Sequence, residues 1–143
     1  MESPRHVWLI VLLLVGVIVP DCKQRPTTDP GIEILKESAR RGDEAYRKYR
    51  TADYQTAKAA LQDYLQFLDK ISDDPNGGDM ARTDAEITCV RLAKLEEKNH
   101  GPDETKYMKE AVARCEKRDL KFRGCAEDYL RKDVDRMDQV PPK

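Results

Sequence analysis

The sequence predicts an all-α protein, and three observations carry that prediction. Apolar residues recur at alternating spacings of three and four over most of residues 30–137, the period of a helix that buries one face. No apolar/polar alternation runs longer than a few residues, so strands have no support. Only 7 of the 143 residues are glycine and 6% are aromatic, while Ala, Glu, Lys, Arg and Leu are frequent, a bias toward helix over sheet.

The first 21 residues stand apart. Val7 to Val19 (VWLIVLLLVGVIV) is an uncharged apolar run, preceded by Met-Glu-Ser-Pro-Arg-His and ended by Pro20-Asp21. It has the length of a signal-peptide hydrophobic region and falls short of the roughly 20 residues that span a bilayer comfortably. Residues 1–21 are therefore expected to be a signal peptide or membrane anchor helix. Cys22 follows the run directly and precedes the polar Lys23-Gln24-Arg25. That placement resembles a bacterial lipoprotein signal, and the resemblance implies lipidation at Cys22, which becomes the first residue of the mature chain. An uncleaved anchor and free secretion stay open beside it. All three place the domain outside the cytoplasm, in the bacterial cell envelope, with residues 22–30 as a linker.

About 110 residues are left, enough for one core and too few for a second. The helical domain is expected over 31–138, with 139–143 as a frayed tail. Asp29-Pro30 reads as an N-cap followed by proline at the first helical position, where a missing N–H costs nothing. From there Ile32, Leu35, Ala39, Gly42, Tyr46 and Tyr49 form one stripe to about Arg50. Thr51-Ala52-Asp53 is a short turn. The second stripe, Tyr54, Ala57, Leu61, Tyr64, Leu68 and Ile71, broadened by Ala60, Leu65 and Phe67, runs to about Ser72. A turn this short folds the two helices into an antiparallel hairpin.

Asp73 to Asp79 concentrates turn formers and separates the hairpins. The third helix, about Asp79 to Lys98, is apolar on two sides, with Met80, Ile87 and Val90 on one and Ala85, Cys89, Leu92 and Leu95 on the other, so it should be the inner helix. Asn99-His100-Gly101-Pro102 ends it, and Asp103-Glu104 opens the fourth segment at a favourable dipole position. There Met108, Cys115, Phe122 and Tyr129 recur every seven residues, to about Met137. Gly124 lies inside this pattern, so the segment is one very long helix or two. About four antiparallel helices in two hairpins result.

The first hairpin resembles a tetratricopeptide repeat in Ala45, Tyr49, the turn Ala52-Asp53-Tyr54, Ala57 and Leu61, over about residues 40–65. The resemblance implies a helix-pair scaffold that binds peptides or partner proteins. It identifies no catalytic residue.

Charge and motifs exclude several functions. The chain carries 26 Lys+Arg against 27 Asp+Glu, and setting aside residues 1–21 leaves a formally neutral domain with both signs interspersed. Such a domain has no field to steer nucleic acid. The acidic loop Asp73 to Asp79 lacks the glycine and bidentate glutamate of a calcium loop. No C-x-x-C pair, phosphate loop or nucleophile-base signature occurs, so no metal, cofactor or enzyme activity is expected. Export makes disulfides chemically accessible, and antiparallel third and fourth helices would bring Cys89 opposite Cys115; the alternative is buried free thiols. Cys125 is then free, or the partner of Cys115 or of another chain. The expected function is binding of a protein or peptide, with Tyr46, Tyr49, Tyr54 and Tyr64 as exposed contact residues and the N-terminal segment as the membrane tie. The alternative is a self-associating structural protein, a homodimer paired through the Met108 to Tyr129 stripe.

Overall fold

The computed structural model describes residues 29–118 and 124–139. The described residues form α1 (Pro30–Thr51), α2 (Tyr54–Ile71), α3 (Gly78–Lys98), α4 (Glu104–Lys117) and α5 (Glu127–Asp138), with no strand among them. The expected signal or anchor segment, Cys22, most of the linker, Phe122 and the last four residues lie outside the described residues.

Helix starts follow the side chains that the sequence supplies. The Asp29 carboxylate accepts from the Gly31 N–H at 2.9 Å with Pro30 at the first position, and Asp53 accepts from Thr56 N–H at 3.1 Å. The α3 end is a hydrogen-bonded hook. Gly101 N–H donates to the Glu96 carbonyl at 2.8 Å and His100 N–H to that of Glu97 at 3.3 Å, with His100 at φ 53°. Glycine is usual at that left-handed position, yet here it stands one residue later. The reason is space: a Cβ on Gly101 would lie 2.0 Å from Glu96 Oε2.

Helices α1 to α4 pack antiparallel in succession, so α1 runs parallel to α3 and α2 to α4, while α5 lies antiparallel to α3, with Arg91, Lys94 and Glu97 meeting Asp138, Asp135 and Arg131 in turn. Contacts between α2 and α4 join Lys58 to Asp103, Gln62 to Tyr107 and Asp69 to Arg114, each 45 residues apart. The same offset sets Tyr46 of α1 beside Arg91 of α3. As expected, α3 is the inner helix. It buries residues on most of its circumference, including Ala85, Cys89, Leu92 and Leu95, against Leu61 and Leu68 of α2, Met108 and Ala111 of α4, and Leu130 and Val134 of α5.

One corner of this core is ionic. Glu96 is fully buried; its carboxylate accepts from Tyr54 Oη at 2.8 Å and from Asp103 N–H at 3.2 Å, and lies 2.8 Å from Lys58 Nζ. Lys58 also reaches Asp103 at 3.1 Å. The four groups join α2, α3 and the start of α4. Burial opposes ionisation of Glu96, but the hydrogen bonds from Lys58 and Tyr54 outweigh it and hold the carboxyl below its ordinary pKa.

Two expectations change. The fourth segment is two helices: α4 stops at Lys117, and Cys125 turns back to pair with Cys115, with Cα atoms 5.6 Å apart. A continuous helix would hold them about 15 Å apart. The expected Cys89–Cys115 disulfide is thereby corrected to Cys115–Cys125, and Cys89 is a buried free thiol in α3. Burial first, then the nearby Glu110, pushes its pKa to about 12.

The second change concerns α1. Its buried line is Gly31, Ser38 and Ala45, small residues seven apart: Ser38 and Ala45 allow close approach to α2, and Gly31 lies against Asn76 of the connection to α3. Ile32 and Leu35, expected to face the core, are 47% and 39% exposed, and Ala39 is exposed too. As the first of the described helices, α1 packs chiefly on α2, and small residues permit a closer contact there than the larger stripe would.

Candidate functional site

The displaced stripe of α1 becomes a wall. Ala39, Gly42, Asp43 and Tyr46 of α1 face Asp84, Ile87, Thr88 and Arg91 of α3 across a cleft of about 290 Å³, with Leu61 and Tyr64 of α2 at its floor and Met137 of α5 at one end. Parallel α1 and α3 at the 45-residue offset continue this face beyond the cleft. Leu35 lies one turn before Ala39, Met80 one turn before Asp84, and both are exposed. The site is thus an apolar rim leading into a partly polar trough.

At the floor, Tyr64 Oη donates to Asp84 Oδ2 at 3.0 Å and lies 3.5 Å from Ser38 Oγ. Burial pushes the Tyr64 phenol to about 12 and raises the Asp84 carboxyl, against the bond from Tyr64 and the charge of Arg91. Gly42 is needed above this point, since a Cβ there would sit 2.8 Å from Tyr64 Oη.

At the far end the aromatic and cationic groups interlock. The Arg91 guanidinium lies 4.2 Å from the Tyr46 ring centroid and donates twice to Asp138 Oδ1, at 2.9 and 3.1 Å. Arg50 approaches the same ring at 5.6 Å, and Tyr49 stacks on Tyr46 at 6.2 Å. Burial, reinforced by Asp138, pushes the Tyr49 pKa to about 12. Lys94 pairs with Asp135 and secures the end of α5 on α3. Among the described residues, Tyr46 Oη and Asp138 Oδ2 are buried without a hydrogen-bond partner. The desolvation of Tyr46 Oη is uncompensated by a hydrogen bond, whereas Asp138 Oδ2 lies 3.7 Å from the Lys94 ammonium.

None of the four tyrosines expected as exposed contacts is exposed: Tyr46, Tyr49 and Tyr54 are half-buried, Tyr46 and Tyr64 line this cleft, Tyr49 stacks on Tyr46, and Tyr54 stands at the Glu96 corner. Tyr64 corrects the expectation of exposure. It is 8% exposed because α1 and α3 both close on its ring, and only its hydroxyl serves the trough. Asp43, Asp84 and Arg91 were not singled out from sequence, and Ala39 and Met137 entered there only as part of the α1 stripe and as a helix end.

The cleft offers hydrogen bonds, two carboxylates, an aromatic-cation pair and apolar contacts, which are the means of a binding site. Among the described residues no helix is long and apolar enough to cross a membrane; Val7 to Val19 and Cys22 lie outside them. Comparison with known protein families, curated proteins and solved structures gave no match.

Proposed function

We propose that this protein is a membrane-anchored interaction module of the bacterial envelope, whose cleft between α1 and α3 holds a protein or peptide partner. One observation carries this reading. A well-formed α1 buries only small residues and leaves Ile32, Leu35 and Ala39 exposed, with Ala39 lining the trough. Contiguous apolar surface rimmed by polar groups is the usual mark of a contact site. The N-terminal apolar run and Cys22 support the anchor, and the tetratricopeptide resemblance supports a helix-pair scaffold for peptides.

A photo-crosslinking residue at Ala39, with one at Lys70 outside the cleft as control, tests the site in a bacterial host. A discrete adduct from Ala39 alone, in the membrane fraction, is expected. Identical adducts from both positions, or none, refute the site. An adduct of twice the chain mass would favour the homodimer instead, although Met108 and Cys115 of its expected seam are buried within the chain. Intact mass tests the anchor: a chain beginning at Cys22 plus acyl groups, lost in Cys22→Ala, is expected, and a full-length unmodified mass refutes lipidation.

A further inference from the structure

We infer that the partner enters the α1–α3 cleft as an extended peptide that places an apolar side chain on the rim and a lysine or arginine in the trough. This rests on the reading that the cleft binds a peptide, and adds the chemistry of what it binds.

The argument is one of charge. The charged side chains lining the cleft are Asp43, Asp84 and Arg91. Arg91 is already neutralised by Asp138 at 2.9 Å and covered on one side by the Tyr46 ring. What is left without an ion-pair partner among the described residues is the pair of carboxylates on opposite walls. Asp43 is exposed on α1, and Asp84 is half-buried on α3 with one oxygen taken by Tyr64. An incoming ammonium or guanidinium would sit between them and relieve the desolvation that raises the Asp84 carboxyl. An acidic partner would meet both carboxylates in a half-enclosed space, which is unfavourable.

The apolar rim sets the spacing. Leu35 precedes Asp43 by about 12 Å along the α1 axis, and Met80 precedes Asp84 by about 6 Å along α3, at roughly 1.5 Å per residue. An extended chain advances about 3.3 Å per residue, so the apolar and basic residues should stand roughly two to four apart.

The test uses the full chain in detergent against arrays of short peptides with randomised flanks, carrying one Leu and one Lys at these spacings. Matched arrays replace the Lys by norleucine or Glu. Retention of the Lys series over the others is expected, with affinity falling about tenfold in the Asp43→Asn/Asp84→Asn double variant and less in Asp43→Asn alone. Asparagine can still accept from Tyr64, and Asp43 is exposed, so both variants should fold. Ala39→Trp, at an exposed position in the cleft, separates the two levels of failure. If peptides bind in an Ala39→Trp-sensitive manner but the neutral or acidic series is preferred, or if the double variant binds equally well, the basic-ligand chemistry is overturned and the cleft stands. If binding ignores Ala39→Trp, or no series is retained, both readings fall.

Discussion

Replacing Glu96 by glutamine removes one charge from the most enclosed ionic group of the described core while changing almost nothing in shape. Glutamine can still accept one hydrogen bond through its oxygen, but it presents an amide to Lys58, previously 2.8 Å from a carboxylate oxygen. Removing one member of a buried ion pair typically costs ~3–5 kcal/mol, most of it from stranding the partner. Lys58 retains Asp103 at 3.1 Å, which places the loss near the lower end, about 3 kcal/mol. For a domain of this size that corresponds to a fall in Tm of at least about 12 °C. Thermal unfolding of the full chain in detergent, followed by far-ultraviolet circular dichroism, measures it. The Lys58→Met/Glu96→Met double variant should recover much of the loss, because it strands no fully buried charge; Asp103, which loses Lys58, keeps 34% of its side chain exposed. The pH dependence has a fixed sign. The folded Glu96 carboxyl lies below its unfolded value, so its contribution is present above about pH 4.3 and disappears as pH falls through the folded value. The gap between wild type and Glu96→Gln should therefore narrow in acid. A Glu96→Gln Tm within about 3 °C of wild type at neutral pH would refute the reasoning, and the corner would then be held by packing alone.

Three further outcomes follow from the fold. His100→Gly should stabilise the domain by about 1 kcal/mol, because His100 occupies a left-handed backbone position that glycine adopts without steric cost; a lower Tm would refute this. Cys125→Ala should destabilise it by about 2–3 kcal/mol, the entropy of the short loop that the disulfide closes, while Cys89 stays inert to iodoacetamide until the domain unfolds; rapid labelling of native Cys89 would contradict its burial. Leu92→Ala, at a fully buried site on the inner helix, should cost about 2–5 kcal/mol in denaturant unfolding, and a loss below 1 kcal/mol, roughly, would mean that α3 is not central.

The helices were legible because their signals are local. Asp29-Pro30 caps the helix it was expected to cap, the turn read at Thr51-Ala52-Asp53 joins α1 to α2, and the two apolar sides of α3 marked it as the inner helix, since a helix surrounded by neighbours must be apolar on more than one face. The candidate site was less legible. The α1 stripe looked like a core face, and a stripe does not say whether anything covers it. Tyr64 and Tyr46 carry the same side chain at similar positions in their stripes, yet one is buried because two helices close on it and the other lines an opening.

By itself the sequence determined the helical class, the approximate extents of the first three helices, and the separation of an apolar N-terminal run from a neutral charged domain, because periodicity, caps and composition act over one or two turns. Tertiary structure alone decided which cysteine pairs with Cys115, where the last segment breaks, and that α1 turns small residues inward and leaves its larger ones open. Those outcomes depend on distances between residues far apart in the chain. The approach of Ser38 and Ala45 to α2, and the 45-residue offset that faces Tyr46 with Arg91, join residues that no window of sequence contains.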